Sequence, residues 1–330
     1  MSDLKFGITM SGVVNTDGDN FDVDTRFRMV KDAGVFDYIE KTPPTGEYEV
    51  YLAAVQKHGI SLRTGGWYYV VGRDEPLLEW HLRMCKEMGS VAQNVQIRTY
   101  DVNGALVSNE KVADIFIWAA ELGDRLGVKP CLETHTNQWS EHFGRVVPVG
   151  EMVEKRGVKF SMTLDHSHLM FKIDNPREQE VQNMRTDIEA GRLELNPFKP
   201  NDVCSQWIAR GWIAHCHARA AAPNNPVNIW AKHPNGSFGR GIQYPFLKPG
   251  PGEWHSEWDE TKLDPWKEVL RRLMRFHASS KNSRLGQIST EFLPATDYGG
   301  GARYSIFQNS IAAAKWLRQT WSDTLREIKT

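Results

Sequence analysis

The chain has 330 residues, 40% of them hydrophobic and 25% charged, which is enough apolar material for a substantial core in one large domain or two ordinary ones. Forty basic residues against 41 acidic ones leave a net charge of −1, so no global field favours nucleic acid or an anionic membrane. No apolar run of about 18 residues occurs and no basic-then-apolar leader is read, so a cytoplasmic, non-membrane protein is expected.

In chain order, β-like runs alternate with helical ones. The β-like runs are LKFGITM near residue 5, FDYIEK near 37, SLRTGGWYYVV near 61, NVQIRTY near 94, KPCLETHT near 129, KFSMTLDHSH near 159, WIAHCHARA near 212 and GQISTEFLP near 286. Between them the helix candidates include DEPLLEWHLRMCKEMG, SNEKVADIFIWAAELGDRLG and DPWKEVLRRLMRFHASS, with Asp74 and Ser108 as N-caps and Gly89 and Gly127 as stops. Eight such pairs predict a single (β/α)8 TIM barrel domain over residues 1–330, with its active site at the C-terminal ends of the strands. Two connections exceed a turn. The one after the sixth strand, 169–198, holds a charged helical segment, and the aromatic one after the seventh, 221–262, is expected to be a lid.

No G-x-G-x-x-G follows the first strand, and neither a Walker loop nor a G-x-S-x-G elbow is present, which sets aside dinucleotide and serine-hydrolase chemistry. Cys85, Cys131, Cys204 and Cys216 form no C-x-x-C pair, so they are expected to be buried thiols and not a disulfide scaffold or zinc ribbon. In IAHCHARAAAP, 213–223, alternation places His215, His217 and Arg219 on one strand face. Glu133 and His135 in CLETHT, Asp165, His166 and His168 in TLDHSH, and Glu291 in STEFLP occupy the ends of three further strands.

Glu133, Asp165, His217 and Glu291 thus bring three carboxylates and an imidazole to one barrel mouth. Three acids there would repel unless a cation or shared protons held them. The hard donor set suits Mn²⁺ or Mg²⁺ better than a structural zinc.

The chain resembles the xylose isomerase-like TIM barrels over nearly its whole length. The resemblance rests on Glu133 in LETH, the D-x-x-H of Asp165 to His168, the H-x-H of His215 to His217, and Glu291 in TEF. It implies that Glu133, Asp165, His217 and Glu291 bind the metal, that His168 contacts sugar hydroxyls, and that His215 stands behind the ligands or on the substrate. In the ketose epimerase branch an arginine follows the ligand histidine by six positions; here that place is Pro223, and Arg219 is the nearest substitute. The endonuclease branch needs more zinc ligands and a basic face, so nucleic acid is not expected.

The loop GRGIQYPFLKPGPGEWHSEW and the histidine after the metal glutamate look like the large subunit of bacterial C-glycoside deglycosidases. That narrower resemblance implies cleavage of 3-oxo-C-glycosides by proton abstraction and β-elimination, and a small β subunit as partner in an oligomer. Metal-dependent sugar or sugar-phosphate isomerisation or epimerisation through an enediolate is the alternative. A non-catalytic binding module is a third reading, which the intact ligand set disfavours.

His135, expected roughly 7 Å beyond Glu133 along the strand, is read as the base, with Glu133 and Glu291 as catalytic partners. His168, His215, Arg219 and Trp254 of the aromatic loop are read as substrate contacts. YGGGAR at 298–303 leaves a phosphate cradle open.

Overall fold

A computed structural model describes residues 4–329. Ten strands are formed: β1 Lys5–Thr9, β2 Tyr38–Glu40, β3 Ser61–Tyr69, β4 Ala92–Ile97, β5 Lys129–Glu133, β6 Met162–Asp165, β7 Ile213–His217, β8 Asn228–Lys232, β9 Phe238–Gly239 and β10 Gln287–Thr290. Eight of them close a parallel barrel in the order β1-β10-β7-β6-β5-β4-β3-β2, while β8 and β9 make a separate antiparallel pair. The ring closes through β1 against β10, in register from Lys5↔Gln287 to Ile8↔Thr290.

The helices are α1 Val23–Ala33, α2 Tyr48–His58, α3 Glu75–Glu87, α4 Asn109–Leu126, α5 Val146–Lys155, α6 Ser167–Met170, α7 Pro176–Glu180, α8 Arg185–Glu189, α9 Val203–Ala209, α10 Asp264–Ser279 and α11 Ile306–Lys329. Their apolar stripes face the strands. Phe116 of α4 and Trp212 both pack on Phe160, with ring centroids at 4.9 and 5.0 Å. Burial of this kind, and not helix propensity alone, holds such helices.

Ser108 caps α4 by accepting from the Lys111 amide at 3.2 Å, and Gly127 ends it at φ 74, a conformation that favours glycine. Asp74 precedes α3 but does not cap it. Its carboxylate turns back to the Val70 amide at 2.8 Å and to Arg73, a local turn that outcompetes the cap. All four cysteines are free and buried.

The charged segment after β6 is not one helix. It breaks into α7, a 3-10 turn and α8, with Gln182 at φ 64 between them. The loop after β7 contains the short β8–β9 hairpin, too brief to leave a periodic signal. It lies at the C-terminal end of the barrel. Asn228 Nδ2 donates to the carbonyls of Thr296, Tyr298 and Gly300 beyond β10, and Arg240 reaches Glu141 beyond β5 and Glu178 beyond β6. Lys172 joins the same two acids at 2.9 and 3.3 Å, fully buried. Loss of one member of so buried a network costs about 3–5 kcal/mol, which makes this loop a fixed part of the fold. Among the described residues, no helix is long and apolar enough to cross a membrane.

Candidate metal centre at the barrel mouth

The last residue of β5, of β6 and of β7, and the residue after β10, are Glu133, Asp165, His217 and Glu291. Their donor atoms all lie within 4.8 Å of one another, as the strand-end argument requires. His217 Nδ1 stands 2.9 Å from Glu133 Oε1, 3.1 Å from Glu291 Oε2 and 4.0 Å from Asp165 Oδ2. Gln96 of β4 donates to Glu133 Oε2 at 2.8 Å. The amide and hydroxyl of Ser167 donate to Asp165 Oδ1.

The other face of His217 is held from below. Its Nε2 lies 2.9 Å from Glu40 Oε1, whose second oxygen lies 3.0 Å from His215 Nε2. Asn94 donates to the same Glu40 oxygen and accepts from Thr163 Oγ1. A carboxylate on Nε2 places the proton there and leaves the Nδ1 lone pair for a cation. Burial would raise the Glu40 carboxyl, but His217 and His215 overcome it and hold it well below the ordinary range.

Arg219 is fully buried, bonding Asp165 through one nitrogen and Glu291 Oε2 at 2.8 Å through another. Four carboxylates, Glu40 included, then face one guanidinium and the His217 imidazole, an excess negative charge that a divalent cation offsets. The strain is visible in His217, whose basicity burial would lower but Glu291, Glu40 and Glu133 raise well above normal. The residues therefore fit a hard divalent ion on chemistry as well as distance.

Replacing Glu40 with glutamine is expected to weaken metal affinity about 10–100-fold, the usual effect of losing a carboxylate behind a ligand histidine. Metal titration checks this directly, and unchanged affinity would mean that Glu40 only packs the barrel.

The remaining expected site residues fall in different places. His168 is buried beside the ligands, its Nε2 at 2.9 Å from Arg219 and 3.1 Å from Asp165, and its Nδ1 is buried without a partner. That Nε2 faces both a donor, Arg219, and an acceptor, Asp165, which leaves Nδ1 as the polar atom a ligand can meet. His135 lies beyond the end of β5 rather than on its face. Ser140 Oγ accepts its amide at 3.1 Å, its Nδ1 donates to the Thr136 carbonyl, and its Nε2 lone pair faces Tyr298 Oη at 3.3 Å. Its ring packs on His168 at 4.2 Å.

His215 sits below the mouth on Glu40 and the Gln287 carbonyl, so its place is behind the ligands and not on a substrate. Trp254 packs among Trp230, Tyr244 and His255 of its own loop and Tyr304 beyond β10. The stretch YGGGAR does not present a nest of free amides to phosphate: those from Tyr298 to Ala302 bond Ala295, Leu293, Ala295, Asp17 and Gly299 in turn, which leaves that of Arg303 as the remaining one.

Sequence reasoning missed Glu40, Asn94, Gln96, Tyr68 and Tyr298. Glu40 ends its strand as Glu133 does, so the strand-end rule reaches it. Gln96 shares its strand face with Asn94 by simple alternation. Tyr68 pairs in register with Gln96, which turns it to the same face at the mouth, 38% exposed and covered by the Arg98 guanidinium at 4.1 Å. Trp67 stacks on it at 5.2 Å.

No family model matches the chain, and no curated protein matches its sequence. Solved structures of similar fold include a xylose isomerase domain-containing protein of Salmonella typhimurium LT2, 14% identical, TM-score 0.51, covering 97% of each chain. D-allulose 3-epimerase of Methylomonas sp., in complex with D-allulose, is 11% identical with TM-score 0.54, covering 97% of this chain and 98% of its own. The probable 3-DHS dehydratase AsbF of Bacillus anthracis is 12% identical with TM-score 0.52, covering 96% and 99%. At these identities the likeness shows the fold alone, a (β/α)8 barrel.

Proposed function

We propose that the protein is a divalent-metal-dependent sugar isomerase or epimerase that moves a proton beside a carbonyl. The observation that carries this is His217, which points its lone pair at three carboxylates from three separate barrel strands while Glu40 holds its other nitrogen. A structural neighbour whose ligand is a ketose supports a sugar as substrate.

Bound by Glu133, Asp165, His217 and Glu291, the cation would polarise the carbonyl and stabilise the enediolate. The chain's own groups divide the remaining work. Glu133 has both oxygens engaged, by His217 and Gln96, whereas Glu291 Oε1 has no protein partner. Glu291 is therefore the freer base. Burial, opposed by His217 and Arg219, raises its carboxyl above the ordinary range and brings its proton affinity closer to what a general base needs. The proton leaves the carbon beside the carbonyl for Glu291 while the C–H electrons form the enediolate double bond. Its return to the neighbouring carbon, with the hydroxyl proton passing between the two enediolate oxygens, gives the isomer; delivery of a different proton, held on Glu133, to the opposite face of the original carbon gives the epimer and leaves Glu291 protonated. His168 Nδ1 is a buried polar atom in want of a partner, which a sugar hydroxyl, donor and acceptor in one, supplies. Tyr68 and Trp67 offer an aromatic face for the rest of the sugar.

A second reading, elimination of the aglycone from a 3-oxo-C-glycoside with a small β subunit as partner, rests on one feature. His135 presents a neutral acceptor nitrogen outside the ligand set, and burial lowers its pKa despite the pull of Glu133. In that chemistry the proton beside the oxo group leaves, the enolate forms, and the bond to the aglycone carbon breaks with its electrons, which a proton then quenches. Incubation of the Mn²⁺-loaded protein in deuterated water with free ketoses and with 3-oxo-C-glycosides, followed by mass analysis, separates the two. Isomeric sugars carrying solvent deuterium are expected; aglycone release without them would transfer the assignment to the lyase.

A further inference from the structure

At the opposite, N-terminal end of the barrel the strands enclose a second cavity of about 790 Å³. It exists because the lining there is small, with Ala92, Ser161, Ala214 and Gly286 where a filled barrel carries branched side chains. The strand ladder arranges cationic residues around its rim. The Val91 amide bonds the Arg63 carbonyl and the Lys129 amide bonds the Val91 carbonyl, which sets Arg63 and Lys129 one strand apart. Lys159 precedes β6, the next neighbour, and Arg284 precedes β10.

Arg284 is engaged by Glu154 at 3.4 Å and by the Phe160 carbonyl, but Arg63, Lys129 and Lys159 form no ion pair. Two polar atoms in the lining are buried without partners. Arg63 Nε is a donor, and Gln287 Oε1 is an acceptor on a side chain only 2% exposed. Glu121 and Asp124, the acids of this cavity, stand on its α4 wall. Unpaired buried groups cost stability and are rare unless something else satisfies them.

We propose that this cavity is a second binding site, separate from the metal centre, for a small hydroxylated anion: a sugar phosphate or a sugar acid. The anionic group meets Arg63, Lys129 and Lys159 in charge-assisted hydrogen bonds, and a hydroxyl donates to Gln287 Oε1. The volume is that of a small-molecule site, and the charge selects against neutral sugars. The inference stands whether the mouth of the barrel isomerises or eliminates.

Calorimetric titration and thermal unfolding of the metal-loaded full chain test it, with glucose 6-phosphate and gluconate as probes and glucose as the neutral control. Either anion is expected to bind and to raise Tm by about 2 °C or more at saturation, while any effect of glucose arises at the mouth and stays the same in the rim variants below. Binding of the phosphate alone identifies a phosphate site, and of gluconate alone a carboxylate site. Affinity should survive Glu133→Gln at the metal centre and fall tenfold or more in Arg63→Gln and in Lys129→Gln. Should Arg63→Gln fail to fold, Lys129→Gln and Lys159→Gln, both at exposed positions, carry the test. Absence of binding by both anions, or binding unchanged in the rim variants and lost in Glu133→Gln, overturns the proposal.

Discussion

Stripping the divalent cation with a chelator is expected to lower turnover by at least about 10³-fold, with Mn²⁺ or Mg²⁺ restoring it. The magnitude follows from the several kcal/mol that a Lewis acid contributes to a developing oxyanion, at about 1.4 kcal/mol per decade of rate. Elemental analysis should find about one ion per chain, since His217 offers Nδ1 alone once Glu40 occupies Nε2. Glu133→Gln should weaken binding of the ion with little unfolding, because it removes one charge from a cluster whose members repel. Full activity in protein shown to be metal-free would reject the centre. A simultaneous collapse of the fold in Glu133→Gln would instead make the cluster structural.

How much of this was legible in the chain depends on what each residue signals locally. The barrel was, because eight strand-and-helix pairs each leave a period, and so was the convergence of Glu133, Asp165, His217 and Glu291, because a strand end fixes which way its last side chain points. Glu40 was equally accessible by that rule but sits on a strand of only three residues, Tyr38–Glu40, whose alternation is too short to stand out. Tyr298 was not readable at all. It stands in a loop whose path is set by long-range bonds, such as those from Asn228 to the carbonyls of Thr296, Tyr298 and Gly300, and nothing in neighbouring residues records them. Trp254 is a related case. Aromatic content marks a residue that will be buried, but whether against substrate or against Trp230 and Tyr244 is decided by tertiary packing. The same holds for His135, which sequence extended along β5 but which the Ser140 and Thr136 contacts turn out of the strand.

The sharpest contest is between Glu291 and His135 as the base. Glu291→Gln is expected to keep a ligand oxygen while removing the proton acceptor, lowering kcat and solvent deuterium uptake about 10²–10⁴-fold, the usual range for a general base. His135→Ala should leave both within about tenfold, because its Nε2 already meets Tyr298 Oη and Glu291 Oε1 is the oxygen without a protein partner. Elemental analysis of both variants must show the ion still bound, since Glu291 also ligates it. Burial keeps the His135 imidazole neutral through the neutral range, so a loss of activity in His135→Ala would reflect a missing acceptor and not a missing charge. If the ranking reverses, with His135→Ala inactive and metal-loaded Glu291→Gln still exchanging deuterium, the proton goes to the imidazole. The site is then arranged for elimination, with a base standing apart from the metal ligands.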